Sequence, residues 1–150
     1  MILQVDQSVK IENTSADTVL ALSNDVCYAI LIPAVAKRHC LQVLRRRHMR
    51  GTTIVLQVFS AALFLLLERH LHQAERVVID VEYPRHEGAI KGMLLNWIRR
   101  TRPDFDAHRI LFKRVGKACP AHRRAIQIVR HKELPDRVVT AREVLRLLRE

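Results

Sequence analysis

Residues 77–80 read Val-Val-Ile-Asp. A continuous β-branched run of this kind marks a strand covered on both faces, as in a parallel sheet. Of all the segments it constrains the fold most, because parallel strands need long crossover connections, usually helical. Helical patterns flank it on both sides. Ala36, Cys40, Val43, Leu44 and Arg47 fall at helical spacing, and Arg45-Arg46-Arg47 closes that segment, where basic side chains complement the macrodipole. Gly51-Thr52 is a break with an N-cap. Ile54 to His72 then reads as a long helix, apolar nearly all round in its first part and therefore deeply packed. After the Val-Val-Ile run, Ile90, Met93, Leu94, Trp97 and Ile98 form one apolar stripe over Glu87 to Arg100, which Pro103 ends.

The first third has the shorter period of strands. Ile2 to Val5 is apolar and Val9-Lys10-Ile11 alternates. Thr18 to Leu22 and Cys27 to Ile32 are further β-prone runs, separated by the turn-rich segments Asn13 to Asp17 and Ser23-Asn24-Asp25. Three runs at such short spacing predict an antiparallel meander. Towards the end, Arg109 to Val115 reads as a strand and Cys119-Pro120 opens a helix with proline at its first position. Ala121, Ala125, Ile128 and Val129 line the buried side of that helix. Thr140-Ala141-Arg142-Glu143 is a capping box that opens the last helix. The expected architecture is α/β. A five-stranded mixed sheet combines the meander with parallel strands and carries helices on both faces, as a single domain over 1–150.

Composition narrows the function classes. Lys and Arg number 26 against 15 Asp and Glu, a net charge of +11. That excess favours a polyanionic partner, most often nucleic acid. The basic clusters Arg45-Arg46-Arg47, Arg99-Arg100 and Arg123-Arg124 are candidate contacts to a nucleic-acid backbone. Aromatic residues are only 5% of the chain. Reading of single strands by stacking platforms is therefore disfavoured, and phosphate contacts with strong salt dependence are expected. Four glycines, with no GxGxxG or GxxxxGK[ST], argue against phosphate-loop nucleotide binding. Cys27, Cys40 and Cys119 lack disulfide or zinc spacing, which suits reduced thiols in a cytoplasmic compartment. The opening MILQVDQSVK lacks the pattern of a signal peptide. No apolar stretch reaches the roughly 18–20 residues of a membrane span, so no membrane partner is expected. An open sheet edge or the apolar helix could support a homodimer.

Two carboxylates stand where a fold alone would not place them. Asp6 follows Ile2-Leu3-Gln4-Val5 and Asp80 follows Val77-Val78-Ile79. Isolated charges are costly at the ends of buried strands unless they are paired or bind a metal. If the two strands are parallel neighbours, they lie about 4.8 Å apart. Both acids could then ligate one Mg²⁺ or Mn²⁺, hard cations that take oxygen donors. Glu82, two residues on, shares the face of Asp80 if the strand continues. The structural alternatives are a turn-capping Asp6, an Asp80 paired with a nearby arginine, and an exposed Glu82.

These segments resemble the ribonuclease H-like nuclease superfamily. The resemblance is carried by VDQSVKIENT at 5–14, VVIDVEYP at 77–84 and VGKACPAH at 115–122, together with the element order. It implies hydrolysis of nucleic-acid phosphodiesters by divalent ions held on acids of the first and fourth strands. Asp6 matches the first of these acids and Asp80 the second. The last helix of such nucleases usually adds another acid. Here Pro120-Ala121-His122-Arg123-Arg124 has none, and His122 could replace it as ligand or proton shuttle. Lys117, in the loop before that helix, could contact a phosphate. The candidate catalytic set is thus Asp6, Asp80, Glu82, Lys117 and His122, with Asp6 and Asp80 as metal ligands. The same fold with a decayed catalytic set would be a binding or interaction module. Glu68 reads as a solvated helix acid beside His72.

Overall fold

In the computed structural model, which describes residues 1–24, 27–47 and 49–149, the opening apolar run extends to Ser8 as strand β1 (Ile2–Ser8). It ends at Val9, whose φ of 67° is a left-handed backbone that a β-branched residue adopts only at a cost. The chain turns and returns as β2 (Thr18–Ser23), then as β3 (Cys27–Ile32). Val5 faces Leu22 and Leu20 faces Ile30 in the antiparallel registers, so the meander is as expected. The predicted turn at Ser23-Asn24-Asp25 lies partly outside the described residues, at Asp25.

The Val-Val-Ile run is β4 (Arg76–Ile79), parallel to β1 with Val5 opposite Ile79. Strand β5 (Ile110–Phe112) adds on parallel to β4. It is shorter than the predicted 109–115 because β4 stops at Ile79 and leaves nothing further to pair with. The sheet also has a sixth strand beyond the five expected. This is β6 (Arg137–Val138), parallel to β3. Two residues after a proline carry no readable period. The order is β5-β4-β1-β2-β3-β6, a ribonuclease H-like arrangement. Only β2 runs against the rest. The carboxyl ends of β1, β3, β4, β5 and β6 therefore share one edge.

Helices cover both faces. On one lie α1 (Ala34–Arg46), α2 (Gly51–Leu67), α3 (Glu87–Thr101) and α5 (Ala141–Arg149), packed on Leu3, Val5, Leu20 and Ile30. On the other, α4 (Pro120–Val129) sets Ala121, Ala125 and Ile128 against Val19, Ala21 and Ala29. Small residues on both sides bring α4 close to the sheet. Helix α2 supplies Phe59, Leu63 and Leu66, each at most 1% exposed. Burial of such side chains contributes about 1.5–3 kcal/mol each. The helix ends at Leu67, short of the predicted His72, where the apolar run gives way to Glu-Arg-His. A short 3₁₀ turn, Leu71–Gln73, leads into β4. Among the described residues, no helix is long and apolar enough to cross a membrane. All three cysteines are free thiols.

Two polar devices fix α1. Its N-cap position is Pro33, which offers no side-chain cap. Asp17 supplies one from the turn before β2, accepting a hydrogen bond from the Ala34 N–H at 2.8 Å. Asp17→Ala is expected to lower stability by about 1 kcal/mol, the usual worth of an N-cap, as read by urea unfolding. Three residues into the helix, Lys37 is completely buried. Its Nζ donates to Asn13 O at 2.6 Å, Thr18 Oγ1 at 2.9 Å and Lys10 O at 3.4 Å. The predicted capping box also forms. Glu143 N donates to Thr140 Oγ1 and Thr140 N donates to Glu143 Oε1.

Candidate metal centre

Strands β1 and β4 are hydrogen-bonded neighbours that finish level with each other. The ladder runs one residue past Ile79, as Asp80 N donates to Val5 O at 3.0 Å. Asp6 and Asp80 are thereby brought side by side at the carboxyl edge of the sheet. The strand does not continue to Glu82, yet the turn that follows returns Glu82 to the same place. One carboxylate oxygen from each of Asp6, Asp80 and Glu82 lies within 4.8 Å of the others. Asp6 is only 3% exposed, and the other two are half-buried.

Each acid is held by a different partner. The Asp6 carboxylate Oδ2 accepts from Nδ1 of His122 at 2.6 Å. With Asp6 ionised, Nδ1 is the donor of that bond and Nε2 is left for a second partner. Asp80 Oδ1 accepts from the Val115 N–H at 2.6 Å, which ties the loop after β5 to the site. The Glu82 carboxyl lies beside that of Asp80, where a proton on one can be shared with the other. Behind them, Tyr83 pins the turn after β1 to the turn after β4. Its hydroxyl accepts from Ile11 N at 3.1 Å and donates to Glu12 at 3.2 Å. Lys10 adds a bond from Nζ to the Glu82 carbonyl at 3.1 Å.

Crowding three carboxylates in a half-buried place disfavours full ionisation. Burial, the hydrogen bond with Asp80 and the charges of Asp80 and Asp6 push the Glu82 carboxyl up to about 8. Asp6 is also raised by burial, with His122 pulling in the opposite direction. The cluster therefore retains a proton at neutral pH. A divalent cation would supply the missing positive charge, and an all-oxygen donor set suits Mg²⁺ or Mn²⁺.

The other predicted residues are distributed unevenly around this centre. His122 sits on α4 directly behind Asp6, outside the group of three oxygen donors. Lys117 is exposed, two residues beyond the Val115 that bonds Asp80. Arg45 lines a groove of about 560 Å³ together with Lys10, Thr52, Glu82, Tyr83 and His86. Arg46 and Arg47 are exposed beside it at the end of α1. Arg99 and Arg100 lie in the last turn of α3, which starts at the acid-bearing edge and runs towards the opposite one. Arg99 donates from Nε and Nη2 to Phe105 O and so holds a loop. Arg123 is exposed. Arg124 is engaged by Glu133 at 3.0 Å and Asp136 at 3.1 Å. Glu68 pairs with Arg137 at 3.4 Å, away from the acid cluster.

Sequence reasoning missed Lys10, Tyr83 and the Val115 N–H. A backbone N–H carries no sequence signal. The role of Tyr83 depends on a turn 72 positions away in the chain. The chain matches no protein-family model, no curated protein and no solved structure.

Proposed function

We propose that this chain is a metal-dependent nuclease of the ribonuclease H-like superfamily, hydrolysing phosphodiester bonds of DNA or RNA. The observation that carries this reading is the convergence of Asp6, Asp80 and Glu82 within 4.8 Å at the carboxyl edge of a mixed sheet. The net charge of +11 around a pocket of acids is its electrostatic complement. Bound at these oxygens, Mg²⁺ or Mn²⁺ would supply Lewis-acid stabilisation of charge building on the phosphate. The protein's own part is to position groups. His122 orients Asp6 and offers Nε2 as a proton acceptor. Val115 holds Asp80, and the same loop carries Lys117 towards the substrate phosphate. Arg45, Arg46, Arg47 and Arg123 are exposed and available to a nucleic-acid backbone, with Arg99, Arg100 and Arg124 as more distant or already engaged cations.

A second reading, a binding module with a decayed catalytic set, is favoured by one observation. Helix α4 presents an imidazole where a carboxylate was sought. Incubation with Mn²⁺ on single-stranded, duplex and hybrid substrates decides between them. Cleavage supports the nuclease, and intact substrate in every case overturns it in favour of the module.

The protonation of Glu82 gives an independent expectation. At pH 7 its carboxyl is mostly protonated, and a metal needs it ionised. Mn²⁺ binding should therefore release close to one proton per ion at pH 7 and almost none at pH 9. Calorimetry in two buffers of different ionisation enthalpy measures this. Glu82→Gln should abolish the release. Binding without proton release at pH 7 would refute the shared-proton arrangement.

A further inference from the structure

A sizeable cleft lies away from the acids. It has a volume of about 640 Å³ and lies between α1 and α5, lined by His39, Arg142, Leu145, Arg146 and Arg149. Among the described residues, no acidic side chain lines it. The three arginines recur at i, i+4 and i+7, so they share one face of α5. The opposite face buries Val144 against the core, with Leu145 between the two. All three guanidiniums are exposed. None of them makes an ion pair or hydrogen bond with any described residue. This contrasts with Arg124 and Arg137, which are engaged by two acids each.

A row of unneutralised arginines costs stability through mutual repulsion unless something fills it. Over seven residues of helix the three charges spread along about 10 Å. That is about three phosphate steps of one strand, at roughly 3.4 Å of axial rise each. The guanidinium fork suits phosphate oxygens. One end of the row also lies on a useful side. Helix α5 leaves from the carboxyl end of β6 and α1 from that of β3, and the Cys40 thiol, midway along α1, donates to Ala141 O at the start of α5. Arg142 therefore starts the row at the sheet edge that carries Asp6 and Asp80, and Arg146 and Arg149, in the last turn of α5, continue it away from that edge. Strand β6 is three places from β1, a lateral offset of about 14 Å. That corresponds to about four phosphate steps.

We propose that His39, Arg142, Arg146 and Arg149 form a second phosphate-backbone site, which holds the nucleic acid flanking the segment at the acid cluster. The site rests on the nucleic-acid reading above and extends it. It commits to a backbone clamp, whose signature is a salt-dependent affinity.

The test measures binding of a fluorescein-labelled DNA duplex and an RNA duplex by anisotropy, between about 50 and about 200 mM salt. Mn²⁺ is left out so that no cleavage intervenes. The proteins are the wild type, the triple variant Arg142→Gln/Arg146→Gln/Arg149→Gln, and the same three positions changed to Lys. All three positions are exposed, and unchanged thermal melts verify that each variant folds. The Gln variant is expected to lose affinity at least about tenfold at low salt. Its log–log salt slope should become shallower by about two to three phosphate contacts. The Lys variant should keep the wild-type slope, since a point charge suffices for a backbone phosphate. A Gln variant with wild-type affinity and slope overturns the second site and leaves the nuclease reading standing. A wild type that binds neither duplex at low salt overturns both. A loss seen with poly-glutamate but not with either duplex overturns the backbone site and assigns the cleft to an acidic protein.

Discussion

Asp80→Asn should abolish metal-dependent cleavage, by more than about a hundredfold, while leaving the protein folded. Changes to groups that merely orient ligands already cost about 10- to 100-fold, and a direct ligand contributes more. The substitution separates charge from structure. An asparagine Oδ1 can still accept the Val115 N–H that Asp80 accepts at 2.6 Å, so the loop bearing Lys117 keeps its anchor. One negative charge leaves a cluster so crowded with acids that it retains a proton at neutral pH. The metal-free variant should therefore melt at the wild-type temperature or above it. Relieved of that neighbour, the Glu82 carboxyl should fall part of the way, since burial, the largest cause of its upward shift, remains. Calorimetry should show Mn²⁺ heat in the wild type and none in the variant. Retained cleavage in a folded Asp80→Asn protein would remove Asp80 from the site. Loss of cleavage together with loss of the melting transition would show that the acid was structural.

Lys37→Met should destabilise the protein by about 3 kcal/mol at pH 7. It leaves the carbonyls of Asn13 and Lys10 and the Thr18 hydroxyl without their donor, and a buried unsatisfied group costs about 1–3 kcal/mol. The gap should also widen at alkaline pH. Burial lowers the Lys37 ammonium to about 8, with Asp17 and Glu12 opposing the shift. Between that value and the ordinary lysine range, the unfolded chain binds a proton that the folded chain does not. Stability from this group therefore rises as pH increases from about 8 to about 10.5. Methionine has nothing to titrate, so the wild-type advantage over Lys37→Met should grow by up to about 3 kcal/mol across that window. Urea unfolding of both proteins at pH 7 and pH 9.5 reads the difference. Other groups titrate equally in both and cancel. An advantage that shrinks with pH would show that the charged form is the one the fold prefers.

How much could be read from the chain varied with the kind of signal. Val77-Val78-Ile79 and Ile2-Leu3-Gln4-Val5 announced two central strands, and the acids after them were conspicuous because charge is expensive there. That part of the site followed from burial and strand geometry alone. Glu82 joined the cluster by another route than strand alternation, since β4 stops before it and a turn brings it back. Helix ends were legible where side chains cap them, as at Thr140 and Glu143, but not where the cap comes from elsewhere. Asp17 serves α1 across 17 positions of sequence. Strand β6 was invisible because two residues carry no periodicity. The arginines needed contacts, not counts. Arg124 lies in a conspicuous basic pair yet is taken up by acids. Arg142, Arg146 and Arg149 were spaced for one helix face all along, but their lack of partners shows only in the fold.

A sheet of six strands ordinarily exposes two ladders of unpaired backbone groups, each a template for another chain. Here the outermost strands, β5 and β6, are three and two residues long. Pro135 precedes β6 without an N–H to donate, and Arg137 places a charge within it. An incoming strand would gain only two or three hydrogen bonds at either margin before meeting loop. Brevity protects the margins in the way that closure protects a barrel. A concentrated solution of this protein should therefore resist edge-to-edge fibre growth, and any pairing of copies would have to be made by helix faces instead.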